Sequence, residues 1–213
     1  PVLFLTLPIL VWLIDDAART PGGAYRVARA AARDGWWFAF GYFLFGLYWI
    51  GIAFLVEADK FGWLLPVAVT VMPAGLALFW AGAAALAAVL WRPGLARVVV
   101  LALALGVAEW LRGHILTGFP WNVLGYALTW PLVLMQSAGL FGIYGLTLIA
   151  VPVFAGPLVL VADVRGREGR RHASLRAVAI VAVPVLLLAA YGAFRLAGAP
   201  VAGEVAEGAR VRV

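Results

Sequence analysis

The sequence of 213 residues contains no cysteine, and charged residues make up only 12% of it. The missing cysteine excludes disulfide bonds, thiolate metal sites and a cysteine nucleophile within this chain. The scarcity of charge, beside 65% hydrophobic residues, excludes a disordered chain and an ordinary soluble domain, in which about a quarter of the residues are charged. A soluble fold of this size cannot bury so much apolar surface. We therefore expect a polytopic membrane protein.

Long stretches of the chain carry no charged side chain. Gly35–Val56 is 22 residues long, Phe61–Trp91 is 31 and Ile115–Ala162 is 48. A helix of about 20 apolar residues crosses the hydrocarbon core of a bilayer, so the first stretch fits one crossing and the last is too long for one. We predict an all-α transmembrane domain over residues 1–196, with five to six spans near residues 1–14, 36–56, 66–90, 97–115, 144–161 and 177–194.

The basic residues predict how this bundle is oriented, because Lys and Arg concentrate in cytoplasmic loops. If the loop over residues 15–35 is cytoplasmic, eleven basic residues lie inside and five outside, and no outer loop between spans has more than one. The net charge of +6 then reflects membrane topology and not nucleic-acid binding. The inner set is Arg19, Arg26, Arg29, Arg33, Arg92, Arg97, Arg165, Arg167, Arg170, Arg171 and Arg176, and the outer set is Lys60, Arg112, Arg195, Arg210 and Arg212.

The C-terminal tail differs in character from the spans. Residues 197–213 are rich in Gly, Ala and Pro, and they end in an apolar and basic alternation from Ala209 to Val213, which is typical of a β-strand. A lone strand would leave its edge unpaired. We therefore expect this tail to be a linker and the first strand of a truncated extracytoplasmic domain. Because the chain also begins at Pro1 within an apolar run, we expect it to be a piece of a longer protein.

Glu109 and Arg112 place an acid and a base three residues apart, on one face of a predicted helix. Charges at membrane depth are costly and mark either a buried pair or a polar cavity. One interpretation is therefore a structural charge pair between Glu109 and Arg112. The other is that Arg112 binds the phosphate of a lipid, since a guanidinium matches phosphate geometry.

Residues 116–143 have the Gly, Pro and Asn content of a loop in an apolar setting. Phe119, Pro120 and Trp121 follow a glycine within it. Aromatic residues favour the headgroup level, so this loop could be an interfacial anchor. Alternatively it is a re-entrant loop lining a cavity, because non-helical backbone at membrane depth needs protein or water around it.

Gln136 and Tyr144 belong to a cluster of polar and small residues that also contains Gly139, Gly142 and Gly145. Small residues allow close helix packing in lipid, and Gln and Tyr can hydrogen-bond between helices. The two histidines, His114 and His172, have no partner at metal-ligand spacing. We therefore predict no metal site.

Several of these segments together resemble the membrane region of the bacterial apolipoprotein N-acyltransferases, and the resemblance runs over nearly the whole chain. The Arg-Gly and Thr-Gly-Phe-Pro-Trp pattern is its most specific part. The matching segments are Gly35–Phe43, Tyr48–Ile50, Glu109–Gly113, Thr117–Trp121, Leu124–Tyr126, Gln136 and Gly142–Leu146.

The resemblance implies a multi-pass enzyme of the bacterial inner membrane that needs no cofactor. Such an enzyme moves an acyl chain from a phospholipid, typically phosphatidylethanolamine, to the N-terminal diacylglyceryl-cysteine of an apolipoprotein. It does so through a thioester on a cysteine of an outer nitrilase-like domain, aided by a Glu and a Lys. None of these three catalytic residues can be assigned to a position here, so we expect the fragment alone to be inactive.

In this reading the membrane domain presents lipid substrates to the outer active site, and we expect it to be a monomer. Phe119, Pro120 and Trp121 would shape the access route, Arg112 would bind phosphate or pair with Glu109, and Gln136 and Tyr144 would order the loop. Two alternatives belong to other functional classes. One is a transporter or channel domain, which would show repeated halves and broken helices; the other is a membrane anchor fused to a different extracytoplasmic enzyme.

Overall fold

A computed structural model describes residues 1–115, 118–162 and 167–198, and within these residues the chain is helical with no strand. The all-α prediction is thereby confirmed. Thr117 of the predicted loop and the predicted strand near Val211 lie outside the described residues. The helices are α1 (Leu3–Ala17), α2 (Ala24–Leu47), α3 (Ala58–Phe61), α4 (Leu65–Val89), α5 (Leu95–His114), α6 (Leu132–Met135), α7 (Ala138–Ala162) and α8 (Arg167–Ala197), with 3₁₀ turns at Tyr48–Leu55, Gly62–Leu64 and Leu124–Leu128.

Among the described residues, four helical segments are long and apolar enough to cross a membrane: Ala24–Leu55, Ala58–Val89, Ala138–Ala162 and Arg171–Ala197. The two remaining long helices differ from them in a simple way. Helix α1 has only 15 residues, and α5 carries Arg97, Glu109 and Arg112 within 20 residues. The spans predicted at 1–14 and 97–115 therefore stay predictions.

Helices α2 and α4 form the tightest contact of the bundle. The buried residues of α2 recur every four positions, from Ala31 through Gly35 and Ala39 to Phe43, so they lie on one stripe of the helix. At Gly35 the two backbones approach so closely that an added Cβ would lie 2.5 Å from the Ala84 Cβ. Small residues permit this approach, which in lipid replaces the hydrophobic driving force available in water.

Helix α7 packs against α1, α5 and α8 and forms the centre of the other half of the bundle. Its buried side runs from Leu146 to Val159. The helix is broken at Gly142, where φ is 63° and ψ is 172°, a conformation that only glycine adopts without strain. The break separates one helical turn, which follows the loop, from the long apolar segment.

Polar contacts join α1, α4 and α5 at the end of the bundle where α2 begins. Arg97 Nη1 donates to Asp15 Oδ2 at 2.7 Å, and Trp91 Nε1 donates to Asp15 Oδ1 at 2.6 Å. Asp15 and Arg97 are both largely buried, and a buried charge is tolerated when it is paired in this way. We call this region the Asp15 end, and the opposite end of α5 the Arg112 end.

The contact between α2 and α4 predicts opposite effects for one substitution at two positions of α2. Gly35→Ala would force the backbones apart and should destabilise the protein by about 1–3 kcal/mol, the usual cost of overpacking. Gly41→Ala is the matched control, because an added Cβ there meets no atom within 4 Å. Helix propensity should make Gly41→Ala neutral or slightly stabilising. Thermal unfolding in detergent measures both, and equal melting temperatures for the two variants would contradict the packing argument.

Candidate functional site

The last two turns of α5 bury two charged side chains. Glu109 is 0% exposed and Arg112 is 1% exposed, and their three-residue spacing places both on the face that packs against the rest of the bundle. A buried charge costs several kcal/mol unless other groups replace its lost hydration. The surroundings of these two residues show which groups do so.

Arg112 binds the loop that follows α5. Its Nη1 donates to the carbonyl oxygens of Phe119 and Trp121, each at 2.7 Å, while the Phe119 amide donates to the Arg112 carbonyl at 2.9 Å. The guanidinium carbon also lies 5.0 Å from the ring centroid of Phe43 on α2, within the range of a cation–π contact. One side chain thus holds the loop against α5 and α2.

Glu109 binds the same loop slightly further along. One carboxylate oxygen accepts from the Leu124 amide at 2.9 Å and the other from the Thr147 hydroxyl at 2.5 Å. The Thr147 hydroxyl in turn accepts from the Gly125 amide at 3.1 Å. Helices α5 and α7 therefore satisfy the backbone of the buried 124–125 turn through two side chains.

Glu109 and Arg112 make no direct ion pair within 4 Å in the described part of the chain. Arg112 makes its short contacts with the loop, and Glu109 makes its short contacts with the loop and with Thr147 on α7. The structure thus places both residues of the predicted pair together and gives each of them a separate set of partners.

Two left-handed residues shape this loop. Gly118 has a φ of 73°, and a Cβ there would collide with the carbonyl of Gly113. Asn122 has a φ of 54°, which Asn tolerates better than most residues. Its side chain lies in the space left by Gly46, and its carbonyl accepts from the Tyr42 hydroxyl at 3.1 Å. The loop is therefore docked on α2 as well as on α5.

A cavity of about 620 Å³ lies between this loop and helices α4 and α5. Val71 and Leu78 on its wall are 62% and 64% exposed, so the cavity opens onto the outer surface of the bundle. Nε and Nη2 of Arg112 have no hydrogen-bond partner among the described residues. The wall is otherwise made of apolar side chains and glycine, from Val71, Met72, Gly75, Leu76, Leu78, Phe79, Ile115, Gly118 and Phe119.

The other predicted site residues do not line this cavity. Trp121 is 52% exposed and its ring meets Trp49 edge to face at 5.6 Å. Pro120 is exposed, and its carbonyl accepts from the Tyr126 hydroxyl at 3.4 Å. Gln136 Nε2 donates to Leu132 within its own turn, and Tyr144 packs its hydroxyl end against Gly113. Of the predicted set, the structure brings Arg112 and Phe119 together at the cavity.

Sequence reasoning missed Thr147, Tyr42 and the cavity wall on α4. Thr147 carried a usable signal, because it is the one threonine in the long apolar helix α7 and a buried hydroxyl needs a partner. The wall residues on α4 carried none. They are apolar residues within an apolar span, and nothing in their spacing separates a cavity wall from a lipid-facing surface.

Comparison with known proteins gives the family of this chain. Residues 1–156 match the family model described as the apolipoprotein N-acyltransferase N-terminal domain. The chain belongs to the apolipoprotein N-acyltransferase family. A relative in Rhodopseudomonas palustris with that name is 51% identical over 213 residues, which is 100% of this chain and 38% of the relative.

Further relatives named apolipoprotein N-acyltransferase agree with this assignment. One from Bradyrhizobium diazoefficiens is 48% identical over 100% of this chain and 38% of its own length. One from Brucella suis is 48% identical over 92% of this chain and 36% of its own length. The chain thus spans little more than a third of the curated relatives it matches. No solved structure matches it.

The buried network around Glu109 predicts a large cost for Thr147→Val in this family member. The substitution keeps the side-chain shape but leaves the Gly125 amide and one Glu109 oxygen without their partner. Unsatisfied buried groups cost about 1–3 kcal/mol each, so the melting temperature in detergent should fall by several degrees. Thr70→Val is the control, because the Thr70 hydroxyl is exposed and bonds only to carbonyls of its own helix. A Thr147→Val protein as stable as the Thr70→Val protein would refute this role.

Proposed function

We propose that this chain is the membrane portion of an enzyme that transfers an acyl chain from a phospholipid to the N-terminal diacylglyceryl-cysteine of apolipoproteins. Family membership supports the acyltransferase class, and the names of the relatives disfavour both the transporter and the fused-anchor hypotheses. The proposal includes an inner-membrane location and a C-terminal end on the periplasmic side. It also includes a following nitrilase-like domain that supplies the cysteine, glutamate and lysine of the reaction.

The role proposed for the present chain is to receive a phospholipid, such as phosphatidylethanolamine, in the cavity beside Arg112. The observation that carries this role is a buried guanidinium on the wall of an apolar cavity that opens sideways. Apolar walls suit an acyl chain, and a lipid entering from the bilayer would reach the arginine without passing through water. The apolipoprotein would accept the acyl group at the outer domain.

The chemistry of Arg112 is suited to a phosphate group. Its Nη1 already binds two loop carbonyls, whereas Nε and Nη2 are buried and have no partner in the described residues. A phosphate would reach these two nitrogens by displacing the side chains that cover them. These two nitrogens form one edge of the planar guanidinium, and such an edge can bind two phosphate oxygens side by side. The loop contacts would fix the orientation of this edge before the lipid arrives, which lowers the entropy cost of binding.

This role predicts the effect of removing the cation in the full-length enzyme. Arg112→Ala should lower kcat/KM for acyl transfer by at least tenfold, because it removes the phosphate contact and releases the loop. Arg112→Lys should recover only part of the loss, since an ammonium lacks the bidentate edge. Trp121→Ala should raise the KM for the lipid with a smaller effect on kcat. Unchanged acyl transfer in both alanine variants would remove the loop from the mechanism and leave the interfacial-anchor interpretation.

The cavity itself can be tested without touching a polar group. Gly75 lines it and an added Cβ there meets no atom within 4 Å, so Gly75→Leu should place its side chain in open space and occupy part of the cavity. We expect acylation of a lipoprotein substrate to fall at least tenfold with little loss of stability. Gly41→Leu is the control, because Gly41 on α2 is equally open but does not line the cavity. Equal activities for the two leucine variants would argue against a lipid site here.

A further inference from the structure

The first turns of α2 carry three arginines on one face of the helix. Arg26, Arg29 and Arg33 are separated by three and four residues, the spacing that brings side chains to one side of a helix. All three are exposed. With Thr20 and Ala30 they line a cavity of about 600 Å³ at the Asp15 end. We call Arg26, Arg29 and Arg33 the arginine face.

The turn before α2 positions the first of these arginines. Gly22 has a φ of 110°, and the space where its Cβ would stand is filled by the Cδ, Nε and Nη1 atoms of Arg26. The Arg26 side chain therefore lies against the backbone of this turn while remaining exposed to solvent. A side chain held in this way gives up less rotamer freedom when it binds a ligand.

The charges of the arginine face are incompletely balanced. Arg33 pairs with Asp34 at 2.8 Å, whereas Arg26 and Arg29 form no ion pair within 4 Å in the described residues. On the neighbouring α1, the Asp15 carboxylate is already occupied by Arg97 and Trp91. The α2 N-terminus has no side-chain cap, so its free amides add partial positive charge at the same place.

Further along α2 the same face becomes apolar. Trp37, one turn beyond Arg33, is 61% exposed, and Phe45 is 82% exposed. Gly41 lies between them, and a Cβ added to Gly41 would have no atom within 4 Å. The face thus runs from arginines through an exposed tryptophan to an exposed apolar surface, in the order in which a lipid presents its headgroup, interface and acyl chain.

We propose that the arginine face of α2 binds the phosphate group of an anionic phospholipid from the leaflet at the Asp15 end, with an acyl chain lying along Trp37 and Gly41. The positive-inside rule accounts for arginines near this end of the helix, but it does not require them on one face. Basic clusters next to a membrane span attract anionic lipids by roughly 1 kcal/mol per residue. The continuity with the exposed apolar side chains of Trp37 and Phe45 favours a lipid over a soluble anion.

This site is separate from the cavity proposed for the acyl donor. Arg26 lies 16 residues before Tyr42, which contacts the loop at the Arg112 end, and 16 helical residues span about 24 Å. The two sites therefore lie toward opposite leaflets. Neither the inference nor its test depends on acyl transfer.

Native mass spectrometry of the full-length protein in detergent provides the test, with dioleoyl phosphatidylglycerol and dioleoyl phosphatidylcholine as probes. We expect the protein to retain phosphatidylglycerol preferentially. The double variant Arg26→Gln/Arg29→Gln should weaken that binding by about 25-fold, because each arginine contributes about a fivefold increase in affinity. The lysine pair at the same positions should preserve most of it. Arg92→Gln is the matched control, because Arg92 is an exposed arginine at the same end that does not line this cavity.

The outcomes separate the possibilities. Loss of the phosphatidylglycerol preference in the double glutamine variant, with the preference kept in Arg92→Gln, would support the site. Equal retention of the two lipids by the unmodified protein would overturn it, as would a double variant that behaves like Arg92→Gln. Displacement of the lipid by millimolar inorganic phosphate would also overturn it in favour of a soluble-anion site. A melting temperature unchanged from the unmodified protein would show that the double variant remains folded.

Discussion

The exchange of hydrogen bonds between the end of α5 and the loop over residues 118–125 is the constraint on which the rest of this structure depends. Neither partner is stable alone in an apolar bundle. Glu109 and Arg112 are buried charges, and the loop brings carbonyl and amide groups that no helix satisfies. Each supplies what the other lacks, because the arginine donates to loop carbonyls and the glutamate accepts from a loop amide. This mutual satisfaction explains how irregular backbone can lie against the apolar helix α5.

Helix α5 is held by buried arginines at both of its ends. Arg97 in its first turn binds Asp15 of α1, and Arg112 in its last turn binds the loop. The two arginines differ in the partners of their guanidinium groups. Arg97 is matched by a carboxylate, whereas Arg112 binds neutral carbonyls and leaves one edge of its guanidinium without a partner in the described residues. A buried cation with no carboxylate within 4 Å among the described residues is the better candidate for binding an anion, since no carboxylate competes for its hydrogen bonds.

The sequence was sufficient to predict a membrane helix bundle because that prediction depends on sums over about 20 residues, such as hydropathy and the spacing of charges. It also singled out Arg112 and Phe119, because a charge or a Gly-Pro turn is conspicuous in an apolar chain. It could not predict that Glu109 and Arg112 would bind the loop in place of each other, since spacing on a helix says nothing about a segment 7 to 15 residues later. Gln136 and Tyr144 were also conspicuous, because they are polar residues in an apolar chain, yet the structure places both away from the cavity wall.

The packing of α4 indicates from which side a lipid would reach the cavity. On one side α4 meets α2 at backbone distance, through Gly35 and Ala84, which leaves no room for a chain between these helices. On the side facing α5, Gly75 and Gly82 border open space, and an apolar groove along Leu78, Gly82 and Leu86 continues from the cavity between α4 and α5. Helices α2 and α4 are closely packed, whereas the groove between α4 and α5 is only partly filled. A lipid would therefore enter the cavity from the membrane between α4 and α5. The acyl chain of a lipid bound at Arg112 would therefore run along α4 and α5, toward the middle of the bilayer.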